Sequence, residues 1–227
     1  MKTKSLAIVI PAFNEEKTIS EVINGLPKKL PGISKIDVIV VDDGSKDKTG
    51  ILAKRAGAKV LRHMINLGVG NAYKTGLKFT TKKYDIVATM DADGQHSPKD
   101  LVKIIQPIAR NKADVVVGTR LKNPQGMPMV KLAGNWIMNF ITYLFSGIWT
   151  TDSQSGFRAF SQKTLKLFRL KTGGYEICTE MFSEINKYGL KFKEIPIKVI
   201  YTKHSRSKGQ SIANAVNIVT NLLKRNL

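Results

Sequence analysis

The sequence predicts an α/β domain built on a doubly wound, mostly parallel sheet. Three observations carry this. Short apolar runs of strand length alternate with segments of helical spacing through the first 120 residues. The runs read as buried strands, which a sheet covered by crossover helices requires. Three of them end in acidic clusters, at the strand ends where open α/β sheets bind their ligands.

The elements follow in order. Residues 6–10 are apolar and closed by Pro11, a buried strand. Residues 15–26 carry Ile19, Val22, Ile23 and Leu26 at helical spacing. Residues 38–41 form the next strand and end in Asp42-Asp43-Gly44-Ser45. A helix is predicted over 47–56, a strand over 59–61 and a helix over 71–79. Residues 85–89 are a strand, from which Met90 leads into Asp91-Ala92-Asp93-Gly94. Pro98 opens a helix to residue 109, in a first-turn position where its missing N–H costs nothing. Residues 113–118 are a further strand. The second half is less regular. A helix is predicted over 174–188, a strand over 192–200, and an amphipathic helix over 211–223 with Ile212, Val216, Val219 and Leu223 on one face.

The 227 residues suit one domain, and 42% apolar content suffices for a packed core. The net charge of +20, mostly lysine, attracts polyanions or forms a solvated surface. Only 7% of residues are aromatic, no ladder of them is set among the basic ones, and no DNA-binding motif appears. No nucleic acid is therefore expected as a partner. The single cysteine, Cys178, excludes an intrachain disulfide and a zinc knuckle and fits a reducing compartment. The first apolar run is too short for a signal peptide.

Pro11-Ala12-Phe13-Asn14-Glu15-Glu16, Asp42-Asp43-Gly44-Ser45 and Asp91-Ala92-Asp93-Gly94-Gln95 converge on one sheet edge of a basic protein. Their mutual repulsion requires a cation or hydrogen-bond donors among them. Asp91 and Asp93 flank a small residue, a spacing that lets two carboxylates share a divalent ion. Hard oxygen ligands suit Mg2+ or Mn2+, which also take substrate phosphate oxygens and neutralise a leaving diphosphate. Asp42 and Asp43 read either as a turn with a helix cap or as acceptors for the N–H and O–H groups of a base or ribose. Asn66-Leu67-Gly68-Val69-Gly70 lacks the third glycine of a dinucleotide fingerprint and follows the third strand, not the first.

Ile8-Val9-Ile10-Pro11-Ala12-Phe13-Asn14-Glu15-Glu16, Val41-Asp42-Asp43-Gly44-Ser45, Asp91 to Pro98 and Val117-Gly118-Thr119-Arg120 occur in that order. Together they resemble the inverting family 2 glycosyltransferases of the GT-A fold. Asp152-Ser153-Gln154-Ser155-Gly156-Phe157-Arg158, Thr179-Glu180-Met181, Glu194-Ile195-Pro196-Ile197 and Ser207-Lys208 narrow the resemblance to the dolichyl-phosphate mannose synthase branch. It implies a Rossmann-like, mostly parallel sheet flanked by helices, with amphipathic helices in the C-terminal half. It also implies a single domain over 1–227: a nucleotide-sugar-binding half, 1–120, and an acceptor- and membrane-facing half, 121–227. Pro11, Ala12, Phe13, Glu15, Asp42 and Asp43 would hold the nucleotide sugar together with Asp91, Ala92 and Asp93. Asp91, Asp93 and Gln95 would bind the metal and diphosphate. Arg120, Arg158, Lys203, Arg206 and Lys208 would bind phosphate groups. Two departures stand out. Phe13 replaces a tyrosine common among relatives, and Thr202 replaces an arginine, leaving Lys203 and Arg206 as candidates for its charge.

If the acceptor is a polyprenyl phosphate, no strong base is needed, because a phosphate monoester with a second pKa of ~6 is largely dianionic at neutral pH. Asp93, Arg120 and Lys208 then act by position and charge. If the acceptor is a sugar hydroxyl, a base is required, and Asp152 is the candidate; its other reading is a turn or cap. The donors expected are GDP-mannose or UDP-glucose. Two alternatives differ in kind: a nucleotidyltransferase, and a basic protein that binds nucleic acid or membrane without catalysis.

Residues 132–151 carry no charge and are about long enough to cross a bilayer. Asn135, Asn139, Thr142 and Ser146 form a polar stripe, and Leu132, Trp136, Phe140, Leu144 and Ile148 an apolar one. A helix lying in the membrane interface fits this pattern, with Trp136 and Trp149 at headgroup depth; the other reading is a helix buried in the core. The expected location is cytoplasmic, peripheral at the cytoplasmic face of an anionic membrane, alone or with a membrane-anchoring partner protein.

Overall fold

The computed structural model describes residues 3–122, 124, 127–200 and 220. Strands and helices alternate as expected through β1 (Lys4–Ala12), α1 (Ile19–Asn24), β2 (Ile33–Asp42), α2 (Thr49–Arg55), β3 (Lys59–Arg62), α3 (Val69–Thr80), β4 (Ile86–Thr89), α4 (Leu101–Ala109) and β5 (Val115–Thr119). There follow α5 (Met129–Ser146), β6 (Arg158–Ser161), α6 (Gln162–Leu167), α7 (Ile177–Lys187) and β7 (Phe192–Pro196). The strands form one sheet in the order β3-β2-β1-β4-β6-β5-β7. β1 pairs in parallel with β2 and β4, β2 with β3, and β5 with β7. β6 alone runs antiparallel, wedged between β4 and β5.

The unbroken apolar run of β1 is explained by its place in the sheet. Leu6, Ile8 and Ile10 face a core shared with Ile19 and Val22 of α1, Ala53 of α2 and Leu101 and Ile104 of α4. Ala7 and Val9 face the opposite core, with Ala72 and Leu77 of α3 and Met181 and Phe182 of α7. Both faces are covered, so both sets of side chains are apolar. Gly76 lets α3 lie directly on β1, since a Cβ there would come within 2.3 Å of Val9 Cγ1.

Several boundaries differ from expectation. The helix predicted from residue 15 begins at Ile19, because Asn14 takes a left-handed conformation (φ 53°) and the Glu15 carbonyl accepts the N–H groups of Thr18 and Ile19 in a turn. β7 stops at Pro196, and the chain then crosses to the Asp93 turn, where Val199 bridges to His96 and Ile200 N–H donates to the Gln95 carbonyl at 2.9 Å. Most of the charge-free segment lies in the helix Met129–Ser146, which closes on Gly147 in the left-handed conformation (φ 71°), a common helix C-terminus. No helix among the described residues is long and apolar enough to cross a membrane. The predicted helix over 211–223 and the candidate residues Lys203, Arg206 and Lys208 lie outside the described residues.

Candidate functional site

The site sits at the carboxyl ends of β1, β2, β4 and β5. The turns after β1 and β2 are laced together. Asn14 N–H donates to Ser45 Oγ (3.0 Å), Lys46 N–H to Asn14 Oδ1 (2.9 Å) and Glu15 N–H to Thr49 Oγ1 (2.7 Å). Pro11 and Ala12 end β1 at this edge, and Phe13 stands exposed beside them. Asp42 is fully buried. Its Oδ1 accepts Ser45 N–H, while its Oδ2 has no hydrogen-bond partner among the described residues. Arg62, at the end of β3, holds Nε 3.6 Å from that oxygen and donates from Nη2 to the Ser45 carbonyl.

Asp43 does different work. It pairs with His63 Nδ1 at 2.6 Å and accepts the N–H groups of Leu67 and Gly68. Its carboxylate braces the loop from β3 to α3.

Asp91 and Asp93 stand just beyond β4. Asp91 Oδ2 lies 2.8 Å from His96 Nε2, and Oδ1 accepts from Tyr73 OH at 3.3 Å. Gly156 leaves room for this carboxylate, since a Cβ there would lie 2.1 Å from Asp91 Oδ1. Burial opposes ionisation of Asp91, but the hydrogen bond and charge of His96, then Arg120 and Tyr73, hold its carboxyl below the usual value. Asp93 moves the other way: burial first, then the Asp91 charge, push it up. Its oxygens accept Gln95 N–H (3.0 Å) and Gln95 Nε2 (2.6 Å). Ala92 is buried between the two. Tyr175 lies in the same field; burial first, then Asp91, raise its hydroxyl above its ordinary pKa.

These carboxylates suit a hard divalent ion, because an acid pushed toward protonation by a neighbouring carboxylate is stabilised by a cation. Among the described residues no group of three or more His, Cys, Asp or Glu side chains is placed to hold a metal ion. An ion on the two carboxylates would therefore need water and substrate phosphate to complete its shell.

At the end of β5, Arg120 is locked onto Asp152. Its Nε and Nη2 reach Oδ2 and Oδ1 at 2.8 and 2.7 Å, and its backbone N–H reaches Oδ2 at 2.8 Å. Asp152 is fully buried. Arg158, expected to bind phosphate, is buried instead: its guanidinium donates to the carbonyls of Ser153 and Ser155 and touches Met181 Sδ. It holds the loop that carries Asp152.

Sequence reasoning brought Asp42, Asp91, Asp93 and Gln95 to this edge and missed His96, Tyr73 and Tyr175 as companions of Asp91 and Arg62 as the companion of Asp42. His96 was legible, being five residues from Asp91. Tyr73 and Tyr175 come from α3 and from the turn before α7, and nothing in local spacing marks them.

Residues 7–168 match the model of a family described as Glycosyl transferase family 2. The chain is 41% identical over 249 residues to the UDP-N-acetylglucosamine--dolichyl-phosphate N-acetylglucosaminyltransferase of Methanococcus voltae, covering 98% of this chain and 96% of that one. It is 30% identical over 227 residues to the undecaprenyl-phosphate mannosyltransferase of Micrococcus luteus, covering 93% and 91%. Among solved structures it is similar to glucosyl-3-phosphoglycerate synthase from Mycobacterium tuberculosis in complex with Mn2+, UDP-Glc and phosphoglyceric acid. The TM-score there is 0.73 at 20% identity, over 97% of this chain and 77% of that one, which is a likeness of fold.

Proposed function

The chain belongs to glycosyl transferase family 2 and is a glycosyltransferase of the GT-A fold, and from that premise we propose that it moves a sugar from a nucleoside-diphosphate sugar to a polyprenyl phosphate. The observation that carries the acceptor is the state of Asp152. A hydroxyl acceptor needs a base, and the candidate base is buried with both carboxylate oxygens held by Arg120. A phosphate acceptor needs none. The printed names of the Methanococcus voltae and Micrococcus luteus relatives support the same acceptor class.

In this reading Pro11, Ala12, Phe13, Glu15 and Asp42 hold the nucleoside. The buried Oδ2 of Asp42, paired with Arg62 only at 3.6 Å, accepts no hydrogen bond among the described residues and can take one from an N–H or O–H donor. Asp91 and Asp93, with Gln95 beside them, would hold Mg2+ or Mn2+. When bound, the ion neutralises charge on the departing diphosphate. Arg120 holds the acceptor phosphate and offsets its repulsion with the donor, helped by Lys203, Arg206 and Lys208. The segment 197–200, bridged to the Asp93 turn, delivers the chain to that edge just before residue 201. A phosphate oxygen attacks the anomeric carbon as the bond to the diphosphate oxygen breaks, so configuration inverts and a nucleoside diphosphate leaves.

The membrane is the natural source of such an acceptor. α5 exposes Trp136, Phe140 and Leu144, and Trp149 lies tilted against Trp136 and edge-on to Tyr143. With a net charge of +20 this favours peripheral seating on an anionic membrane at its cytoplasmic face, alone or with an anchoring partner protein.

The donor is tested by a thermal-shift panel with Mn2+, using GDP-mannose, UDP-glucose and, from the Methanococcus voltae relative's name, UDP-N-acetylglucosamine. A ligand at 100 times its dissociation constant stabilises by ~2.7 kcal/mol, so one donor is expected to raise the Tm visibly and the others not. No shift with any nucleotide sugar contradicts the reading.

A further inference from the structure

α5 buries an unusual share of polar side chains for a surface helix. Three of its four buried residues are polar, Asn139 and Thr142 at 0% exposure and Ser146 at 4%, beside Met138 at 3%. Its outer line is apolar, with Trp136 at 44%, Phe140 at 53% and Leu144 at 63%. The polar line is bonded, not merely covered. Asn139 Nδ2 donates to the Thr151 carbonyl at 2.8 Å, and Asn139 Oδ1 accepts Ser153 N–H at 2.8 Å. One side chain thus brackets Asp152 from the residues on either side of it. Asp152 in turn grips Arg120 through both carboxylate oxygens. Thr151 is pinned independently, because Glu194 Oε1 accepts its N–H and hydroxyl and the Thr150 hydroxyl.

We propose that Asn139 is a positioning residue that joins the lipid-facing helix to Arg120, so that the seating of α5 on the membrane sets the phosphate-binding guanidinium. The inference rests on the phosphate-acceptor reading above. The connection is short and rigid: Trp136 and Phe140 lie within one helical turn of Asn139, and two bonds from Asn139 fix the backbone on both sides of Asp152. A lipid phosphate arriving at the depth of the outer face then meets a guanidinium already oriented. Because Glu194 keeps its own hold on residues 150–151, loss of Asn139 frees the Asp152 side of the loop without releasing all of it.

The test uses the full chain, a polyprenyl phosphate carried in vesicles containing phosphatidylglycerol, and whichever sugar donor the wild type accepts. Asn139→Ala is expected to raise KM for the lipid phosphate by about ten-fold, the scale of one or two lost hydrogen bonds, while vesicle co-sedimentation and nucleotide affinity stay at wild-type values. Asp152→Asn is expected to raise the same KM, and the double variant to be no worse than Asp152→Asn, because both changes act through one guanidinium. Asn139→Asp, which keeps the acceptor for Ser153 N–H and loses the donor to Thr151, carries the test if the alanine variant no longer binds nucleotide. An unchanged KM in a variant that still binds nucleotide overturns the inference alone, as do losses that multiply in the double variant. A wild type that transfers sugar to a hydroxyl acceptor and not to polyprenyl phosphate overturns the phosphate reading, and this inference with it.

Discussion

At the scale of residues, the site is organised by carboxylates with divided tasks. Asp91 is held ionised by His96, Asp93 is pushed toward protonation, Asp43 braces a loop, and Asp152 orients an arginine. Four acidic residues that look alike in the sequence differ because their partners differ. The place of the Asp91/Asp93 pair at the end of β4 was legible, because the pair directly follows an apolar strand. The roles of Asp43 and Arg158 were not, because a buried side chain that bonds backbone leaves no pattern in the residue types around it. Asp93→Ala is expected to lower turnover at least ~100-fold, the scale of removing one main electrostatic stabiliser. Steady-state kinetics with and without a chelator check it. Full turnover in that variant, or in excess chelator, removes the divalent ion from the account.

At the scale of elements, α5 and β6 show what periodicity reveals and what it hides. The two stripes of α5 were readable, since Asn139, Thr142 and Ser146 recur at helical spacing opposite Trp136, Phe140 and Leu144. Which stripe turns inward was not readable from the stripes alone. It is set by partners far along the chain: the carbonyl of Thr151, the N–H of Ser153 and the hydroxyl of Thr179. The structure leaves Trp136, Phe140 and Leu144 exposed, while Leu132 and Ile148 of the same stripe are partly covered. β6 escaped notice because it is four residues long, opens on Arg158, and owes its pairing to β4 and β5 on either side. Replacing Trp136 and Phe140 together by serine is expected to abolish most co-sedimentation with acidic vesicles at low salt. Far-UV circular dichroism and Tm should stay near wild type, because both side chains are largely outside the core. Undiminished vesicle binding would place the lipid contact elsewhere on the molecule.

At the scale of the whole molecule, a chain of net charge +20 carries its acidic clusters at one sheet edge. Each well-placed lysine or arginine near acidic lipid adds ~1 kcal/mol, so under the proposed function the net charge of +20 would serve membrane attraction and phosphate capture together. The parallel sheet with covered faces was legible from the alternation of apolar runs with helical segments, and the acidic edge from where those runs stop. The central claim is that this edge transfers a sugar to a lipid phosphate without a protein base. The most direct measurement is transfer of labelled sugar from the donor selected by thermal shift, with polyprenyl phosphate and the corresponding polyprenol offered in equal amounts in acidic vesicles with Mn2+. The account predicts a nucleoside diphosphate released in step with a glycosyl-phosphate lipid and no product on the polyprenol. Glycosylation of the polyprenol hydroxyl, or release of free sugar with neither lipid modified, would contradict it.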